Sequence, residues 1–329
     1  MIKFDIFRNK RALITGGLGF IGSNLARRLV ELGGRVTIID SLVPEYGGNL
    51  FNVAGLENKI SMNISDVRDV HNMRYFLKNQ DYLFNLAGQT SHLDSMEDPY
   101  TDLEVNCRAQ LYILEECRRY NPKIRVVFAS TRQVYGRPDY LPVDEKHLLR
   151  PVDVNGINKM AGEWYHILYN NVYGIKACAL RLTNTYGPRM RIKDARQTFV
   201  GVWIRRLSEG KPFEVWGGKQ MRDFNYVDDV VDAVLMAATN DRAIGKIFNL
   251  GSDEIISLKK LADMLVKLNG SGKYKMCVFP AARRKIDIGD YYSDYKLIKN
   301  TLNWKPKVTL EKGIAATLAF YRKNLERYT

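Results

Sequence analysis

Hydrophobic and polar positions along the first half of the chain fall into two alternating patterns. Short apolar runs lie at 12–15, 36–40, 82–87, 125–129 and 176–182. Between them, stretches with the apolar spacing of amphipathic helices lie at 21–32, 103–119 and 154–169. Because strands that alternate with helices form βαβ units, this pattern predicts a parallel sheet covered by helices on both faces. The predicted fold class is therefore α/β, with a doubly wound sheet.

The pattern becomes less regular after Pro188. A mixed segment with aromatic and basic residues extends to Gly218, and a helix is predicted at 258–268 with two more near the C-terminus. We expect this part to form a smaller, mixed α/β lobe that covers a substrate. The predicted division is residues 1–187 for the doubly wound domain, with residues from about 222 to 250 returning to it, and residues 188–329 mainly for the lobe.

The charge composition raises two possible kinds of ligand, nucleic acids and small anionic molecules. The 329 residues include 50 Lys and Arg against 36 Asp and Glu, and the net charge of +14 raises the question of nucleic-acid binding. Short basic groups such as Arg27-Arg28 and Arg205-Arg206 are spread along the chain among acidic and apolar residues, which disfavours a continuous phosphate-binding surface. An anionic small molecule accounts for several arginines equally well.

Neither a membrane nor a metal is expected as a partner. The chain has no run of about 18 apolar residues, and its first ten residues lack the apolar stretch of a signal peptide, so we expect a cytoplasmic protein. The cysteines have neither CxxC spacing nor histidines at metal-ligand spacing. They are Cys107, Cys117, Cys178 and Cys277. We therefore expect free thiols and no metal site.

A glycine-rich turn, TGGLGFIG at 15–22, carries the strongest functional signal. It follows a predicted strand and opens a predicted helix. Gly16 allows the chain to turn sharply, Gly19 allows the backbone to approach a pyrophosphate, and Gly22 allows the helix to pack closely on the strand. The positive end of the helix then faces the diphosphate of a dinucleotide.

The acid that ends the next predicted strand identifies the dinucleotide as NAD. Asp40 closes the segment VTIID at the spacing expected for a carboxylate that holds the two ribose hydroxyls. Its charge would repel the 2′-phosphate of NADP, and the residue that follows is Ser41 rather than an arginine. The sequence therefore predicts NAD as the cofactor.

These motifs resemble the extended short-chain dehydrogenase/reductase family of nucleotide-sugar epimerases and dehydratases, over nearly the whole chain. The resemblance implies a Rossmann-type sheet. It also implies that Asp66-Val67 reaches the adenine, and that the turn Asn85–Gln89 (NLAGQ) lies beneath the cofactor. The residues expected to bind the cofactor are Gly16, Gly19, Phe20, Ile21, Gly22, Asp40, Ser41, Asp66, Val67, Leu86, Ala87, Gln89 and Lys159.

The resemblance implies a catalytic set made of a Ser or Thr, a Tyr, and a Lys four residues after that Tyr. In such a set a nearby ammonium and the positive ring of the cofactor lower the pKa of the phenol, so that it can accept a proton from a sugar hydroxyl. Thr131 matches the hydroxyl position and Lys159 matches the lysine. The tyrosine position, however, holds Asn155.

An amide cannot ionise, so Asn155 can hydrogen-bond a sugar oxygen but cannot take its proton. Three explanations stay open. Another base serves the hydride chemistry: a water held by Lys159, or His92, His147 or Asp153. Alternatively, the enzyme acts on a sugar that is already oxidised, where enolate stabilisation is sufficient. In the third explanation, catalysis has been lost and binding retained.

A second departure from the family follows the catalytic Thr. The dehydratase branch has Asp and Glu there, which move protons during water elimination, whereas this chain has Arg132 and Gln133. Neither is a general acid at neutral pH, so the sequence favours epimerisation over dehydration. We expect Gln133 to contact the substrate. For Arg132, a salt-bridged or solvated position is an equal alternative to a functional one.

Three further motifs imply substrate contacts. Asn184 lies in a segment similar to RxxNxYGP, Arg222 in one similar to RDFxYVDD, and Arg284 stands ten residues before Asp294. Two arginines suit a diphosphate because each guanidinium offers a planar fork of donors. The implied substrate is a nucleotide-diphosphate sugar.

The resemblance also implies a homodimer. Helices at 100–119 and 154–169 match the pair that forms a four-helix interface in the family. The apolar side chains expected at the contact are Leu103, Leu111, Ile113 and Leu114.

The sequence thus predicts an NAD-dependent nucleotide-sugar epimerase-like enzyme with an atypical active site. One alternative is an NDP-sugar dehydratase or an enzyme that isomerises keto-sugars. Another is a catalytically reduced protein that binds NAD and a nucleotide sugar. A buried ionisable side chain near the nicotinamide favours the enzyme over the binding protein.

Overall fold

A seven-stranded parallel sheet forms the centre of the computed structural model, which describes residues 4–280 and 284–329. The strands of the described residues are β1 (Arg11–Thr15), β2 (Arg35–Asp40), β3 (Ile60–Ile64), β4 (Tyr82–Asn85), β5 (Arg125–Thr131), β6 (Lys176–Leu182), β7 (Asn184–Tyr186), β8 (Phe213–Trp216), β9 (Met221–Tyr226), β10 (Ile247–Asn249), β11 (Ile255–Ser257) and β12 (Tyr274–Cys277). The order in the central sheet is β10-β6-β5-β4-β1-β2-β3. The chain starts in the middle and winds outward in both directions, which confirms the predicted Rossmann-type α/β fold.

Helices cover both faces of this sheet. Those with described bounds are α1 (Phe20–Glu31), α2 (Val70–Leu77), α3 (His92–Glu97), α4 (Pro99–Leu103), α5 (Ala109–Tyr120), α6 (Val154–Tyr173), α7 (Phe199–Ser208), α8 (Val227–Thr239), α9 (Leu258–Asn269), α10 (Lys296–Leu302) and α11 (Leu310–Asn324). A π-helical turn, Glu104–Arg108, joins α4 to α5. α1, α8 and α10 pack on one face and α2, α5 and α6 on the other.

Alternation along β1 shows why the first apolar run forms a strand buried on both sides. Ile14 points into the core that the sheet shares with α1 and α8, whereas Leu13 points into the core shared with α2 and α5. Both side chains are fully buried. Successive side chains of a strand point to opposite faces, so a sheet covered on both faces needs continuous apolar runs.

The second lobe has its own sheets and core. A three-stranded sheet has the order β11-β9-β7, and β12 pairs with β8. Around them, α7, α9 and α11 enclose a separate apolar cluster that includes Trp203, Phe213 and Ile314. The segments α8, β10 and 295–304 return to the central sheet, where the indole nitrogen of Trp304 donates a hydrogen bond to the carbonyl oxygen of Asp229 (2.9 Å).

Two of the side chains expected at a dimer contact lie elsewhere. Ile113 and Leu114 are fully buried in the core between α5 and the central sheet, so that expectation is wrong for them. Leu111 packs partly against the same core, and Leu103 is 41% exposed. The helical spacing of these four residues did not reveal which of them face the sheet.

The sequence predicts neither a membrane-spanning helix nor a metal site. Within the described ranges, no helix is long and apolar enough to cross a membrane. Across the same ranges, no group of His, Cys, Asp and Glu side chains has the arrangement of a metal site. All four cysteines are free thiols.

Candidate active site

A long groove runs across the carboxyl ends of the central strands. Turns that follow β1 to β6 supply its walls, together with 197–198 from the lobe. All thirteen residues expected to bind the cofactor line this groove, as do Thr131, Asn155 and Asn184. In a doubly wound sheet, ligands bind at this edge, where the strand order reverses.

The glycine turn packs tightly between β1 and α1. Gly16 has a φ of +71°, a conformation that side chains disfavour. A Cβ added at Gly22 would overlap the carbonyl oxygen of Gly16 and lie 2.8 Å from the Cα of Gly17. At Gly19 the nearest atom is the same carbonyl oxygen at 3.2 Å. The amino end of α1 has no side-chain cap, which leaves backbone N–H groups for an anionic ligand.

Two backbone hydrogen bonds hold the Asp40 carboxylate in place at the end of β2. Its Oδ2 accepts a hydrogen bond from the Leu18 N–H (3.0 Å) and its Oδ1 accepts one from the Leu42 N–H (2.9 Å). Burial raises the pKa of this carboxyl, and the backbone hydrogen bonds oppose that rise. Each oxygen retains a lone pair for a ribose hydroxyl, so the site fits NAD.

Arg68 is a groove residue that the sequence did not single out. It donates to Asp66 through its backbone N–H (2.8 Å), its Nε (2.9 Å) and its Nη2 (2.7 Å). Partial burial raises the pKa of Asp66, but the hydrogen bonds from Arg68 outweigh it and hold that pKa below its usual value. Arg68 is only two residues from Asp66, which was expected to contact the adenine. That closeness in sequence was the only signal that could have identified Arg68 as a groove residue.

A buried polar network supports the turn after β4. The Thr15 hydroxyl donates to the Asn85 Oδ1 (2.9 Å) and accepts hydrogen bonds from the N–H groups of Leu86 (3.1 Å) and Ala87 (3.2 Å). The Nδ2 of Asn85 lies 3.3 Å from the Nε2 of His166. Burial lowers the pKa of His166 to about 4, so this ring is neutral and accepts the amide hydrogen.

Lys159 projects from α6 into the groove near Thr131. Its Nζ donates to the carbonyl oxygen of Ala129 (3.2 Å). Burial lowers its pKa to about 8, and the charge of Asp102 opposes this shift. A Cβ added at Gly88 would lie 2.8 Å from that Nζ, so the glycine leaves room for the lysine.

Asn155 is anchored through its amide nitrogen. The Nδ2 donates to the carbonyl oxygen of Gln89 (2.8 Å) and to the Oδ2 of Asp102 (3.0 Å). Because both neighbours are acceptors, they fix the orientation of the amide. No hydrogen bond among the described residues uses the Oδ1 of Asn155, and the side chain lines the groove. The groove therefore presents a hydrogen-bond acceptor at Asn155, the residue expected from the sequence to occupy the family's tyrosine position.

Asp102 is the buried centre of this arrangement, and sequence reasoning missed it. Three asparagine amides donate to its carboxylate: Asn106 (3.0 Å), Asn155 (3.0 Å) and Asn158 (2.8 Å). Asp102 is fully buried. The four-residue spacing from Asp102 to Asn106 on a predicted helix was the only local signal of the pairing.

His92 and Asp153 make a second contact at the edge of the groove. The Nδ1 of His92 lies 3.0 Å from the Oδ2 of Asp153, at an angle that is not that of a straight hydrogen bond. Asp153 caps α6 by accepting the Gly156 N–H (2.7 Å), and its Oδ2 also accepts the Nε2–H of Gln133 (2.9 Å). Burial raises the pKa of Asp153, but the contacts with His92 and the hydrogen bonds outweigh it and lower that pKa.

The model of the family described as "NAD dependent epimerase/dehydratase family" matches residues 12–251. The chain belongs to this family. Its cofactor is therefore NAD, as predicted, and it is an enzyme of the epimerase and dehydratase type. The glycine turn, Asp40 and the turn after β4 line the same groove.

Two named relatives and a solved structure support the same assignment. The chain is 33% identical to a putative UDP-glucose 4-epimerase of Methanocaldococcus jannaschii, over 95% of this chain and 98% of the relative. It is 32% identical to UDP-glucuronic acid decarboxylase 1 of Xenopus tropicalis, over 96% of this chain and 73% of that protein. The UDP-glucose 4-epimerase of Thermotoga maritima, solved with UDP-glucose, has a TM-score of 0.87 at 30% identity, covering 96% and 99% of the two chains.

In this epimerase-family chain, Asn184 lines the groove, whereas Gln133 lies behind it. The Nδ2 of Asn184 donates to the carbonyl oxygen of Asp223 (3.0 Å). Gln133 is buried, donates to Asp153, and is not among the described residues that form the groove wall. Its direct contact with substrate stays a prediction, and its observed contact positions a carboxylate.

The two arginines expected on the diphosphate are outside the groove wall of the described residues. Arg222 is buried, and its Nη1 donates to the carbonyl oxygens of Met221 (2.9 Å) and Gly289. Arg284 is exposed, and its carbonyl oxygen accepts a hydrogen bond from Arg137 (2.7 Å). Their roles in phosphate binding stay predictions.

Proposed function

We propose that this protein is an NAD-dependent nucleotide-sugar epimerase-like enzyme with an atypical active site. One observation carries the proposal: a single groove joins the cofactor turn at Gly16 to Thr131, Asn155 and Lys159. The relatives that bear names act on nucleotide sugars. Bound in this groove, NAD would supply reversible hydride acceptance from a sugar carbon, and the residues around that carbon would move the proton and orient the ring.

We infer that Asn155 orients a sugar hydroxyl. Its amide hydrogens are taken by Gln89 and Asp102, so the Oδ1 is the atom left to accept a hydrogen bond from substrate. The Thr131 hydroxyl donates or accepts beside it. An amide oxygen cannot take the proton away, so the proton needs another acceptor.

His92 is the best placed of the acceptors considered. His147 is buried, and both of its ring nitrogens have partners, the Asp139 N–H (2.8 Å) and the Leu148 carbonyl oxygen (2.7 Å). His92 instead lines the groove, and Asp153 lies against only one of its nitrogens. A carboxylate in contact with an imidazole limits the orientations of the ring. We therefore assign proton acceptance to the His92–Asp153 pair.

The test of function is direct. Purified protein with NAD is mixed with UDP-, dTDP-, GDP- and CDP-sugars, and the products are followed by NMR together with absorbance in the NADH band. A changed sugar or transient NADH is expected. Tight binding with neither would support the catalytically reduced binding protein instead.

The base is tested with His92→Gln, which is expected to lower kcat by about 100-fold or more while leaving NAD affinity unchanged. Asp153→Asn should give a smaller loss. His71→Gln, at an exposed position of α2, is the matched control. Full activity of His92→Gln would contradict the assignment, and a gain of NAD reduction in Asn155→Tyr would indicate that the wild type is a redirected redox enzyme.

We also propose a homodimer in the cytoplasm. Exposed apolar side chains on α4 and α6 support the dimer, among them Tyr100 (77% exposed) and Trp164 (51% exposed). Free cysteines fit a reducing compartment. Light scattering of Trp164→Arg should show a monomer if these helices pair, and an unchanged mass would exclude this face.

A further inference from the structure

Arg132 is a half-buried cation without a hydrogen-bond partner in the described structure. It follows Thr131 at the carboxyl end of β5 and lines the groove. Its Nη1 is buried, and no protein atom of the described ranges accepts a hydrogen bond from it. Burial lowers the pKa of this guanidinium, as expected when a charge loses its hydration. Such a group is costly unless an anion pairs with it.

The carboxylates near Arg132 accept hydrogen bonds from other donors. The Oδ1 of Asp223 accepts the Thr183 hydroxyl (2.5 Å), and its Oδ2 accepts the Ser293 N–H (3.0 Å). The Oδ2 of Asp287 accepts the Gly289 N–H (3.1 Å), and its Oδ1 lies 3.8 Å from the Nη2 of Arg222. These acids contribute charge at a distance, but neither of them forms a hydrogen bond with Arg132 in the described structure.

A second cation lies close by. Burial, and after it the positive charge of Arg132, lower the pKa of Arg222 to about 10. Two neighbouring guanidinium groups repel each other, so the region favours the arrival of a negative charge. Unlike the Nη1 of Arg132, the Nη1 of Arg222 donates to two carbonyl oxygens, and its Nη2 lies 3.8 Å from the Oδ1 of Asp287.

The position of Arg132 along the groove indicates which part of a ligand it meets. The diphosphate of the cofactor is expected at the amino end of α1, after β1. Arg132 lies after β5, and β4 separates β5 from β1 in the sheet. Two strand spacings place it about 10 Å from that diphosphate, beside Thr131 and toward the lobe. Its guanidinium also lies over the Tyr291 ring, 5.3 Å from the centroid, which fixes its plane.

We propose that Arg132 binds a carboxylate on the sugar ring, so that the substrate is an acidic nucleotide sugar, an NDP-hexuronic acid, rather than a neutral NDP-hexose. The proposal rests on the proposed function, because it needs a nucleotide sugar in the groove. A planar guanidinium matches a carboxylate with two parallel hydrogen bonds. An acidic side chain at the same position would repel that group.

The experiment compares acidic and neutral sugars on the same nucleotide. Calorimetry of the NAD-loaded protein first identifies the tightest of UDP, dTDP, GDP and CDP. The corresponding hexose and hexuronic acid, for example UDP-glucose and UDP-glucuronate, are then titrated. We expect the uronate to bind at least about tenfold tighter, the size expected of a charge-assisted pair.

Arg132→Gln should remove this preference and leave the affinity for the nucleoside diphosphate alone within about twofold, since the amide keeps polarity but not charge. Arg206→Gln, at an exposed position of α7, is the control and should change neither affinity. Equal binding of hexose and hexuronic acid by the wild type would overturn the inference alone. Weaker binding of the nucleoside diphosphate by Arg132→Gln would place Arg132 on the diphosphate and also overturn it.

Failure of every nucleotide sugar to bind would overturn the proposed function as well as this inference. A structural role is separated by thermal unfolding of the unliganded variant. Because the buried Nη1 of Arg132 has no hydrogen-bond partner in the described ranges, Arg132→Gln should unfold at the same temperature as the wild type or higher. A decrease of several degrees would show that the arginine serves as a structural counter-charge and would contradict the assignment.

Discussion

The two halves of the groove are built by different means. In the cofactor half, backbone geometry dominates: Gly16 has a left-handed conformation, and Gly22 brings α1 against the turn. In the sugar half, side chains hold other side chains, as where three amides converge on Asp102 and a histidine and a glutamine converge on Asp153. Backbone constraints admit few residue types and leave a local signature in the sequence, whereas side-chain networks join distant segments and leave little.

The largest expected loss of cofactor binding and of stability is in the cofactor half. Gly22→Ala puts a Cβ into the carbonyl oxygen of Gly16, so α1 must shift away from the turn. We expect NAD affinity to fall by more than about 100-fold and stability to fall by several kcal/mol. Fluorescence titration with NAD and thermal unfolding measure the two effects.

Gly19→Ala is the matched comparison for that variant. The nearest atom to its added Cβ lies 3.2 Å away, so it should fold as the wild type does. Its NAD affinity should still decrease, because the methyl group faces the expected diphosphate. Wild-type NAD binding by Gly22→Ala would mean that close packing of α1 is not needed for the cofactor.

In the sugar half, Lys159→Met should separate activity from stability. The folded-state pKa of about 8 is below the ordinary value of 10.5, so at neutral pH the buried ammonium destabilises the fold. We expect kcat to fall by about 1000-fold, while the free energy of unfolding at pH 7 rises by about 3 kcal/mol.

The pH dependence of unfolding tests whether Lys159 destabilises the folded state, as its lowered pKa predicts. Between pH 8 and 10.5 the unfolded state binds the proton that folded Lys159 releases, so wild-type stability should rise with pH across this window relative to the variant. Chemical denaturation at pH 7 and pH 10 measures the difference. Lys260→Met, at an exposed position of α9, removes one charge without burial and should show no such change.

The same contrast explains what the sequence could predict. Gly22 and Asp40 belong to one short strand-turn-helix-strand unit, and their spacing alone indicated a dinucleotide site. Asn155 and Asp102 are 53 residues apart and meet only because α4 packs on α6. Gln133 was expected to touch the substrate, but its contact with Asp153 depends on a cap of α6 that has no signature at Gln133. Long-range partners of this kind need coordinates.

Asp102→Asn should weaken the hydrogen-bond network around position 102 but leave some of its hydrogen bonds in place. Three amides donate to the carboxylate, and an asparagine would oppose one of them with a donor of its own. We expect a loss of about 1–3 kcal/mol in stability. Removal of the negative charge also lowers the pKa of Lys159 further, so the alkaline limb of the pH–rate profile should move to lower pH. An unmoved limb would mean that the lysine charge does not limit the rate.

The smallest expected effect concerns His166, which lies beneath both halves and joins α6 to the turn after β4. Its Nδ1 lies 2.7 Å from the Gly162 carbonyl oxygen, and burial lowers its pKa to about 4. The folded pKa is below the ordinary 6.5, so between these two pKa values His166 is protonated in the unfolded state and neutral in the folded state. Wild-type stability should therefore decrease as pH falls from about 6.5 toward 4. Between pH 7 and pH 5.5 the free energy of unfolding of the wild type should decrease by about 1 kcal/mol from this cause. His166→Gln keeps hydrogen-bonding groups but does not titrate, so urea denaturation between pH 7 and 5.5 should show a shallower decrease than in the wild type. Equal slopes would mean that the buried ring accepts its proton without unfolding, and that the support beneath the cofactor turn is less rigid than its hydrogen bonds indicate.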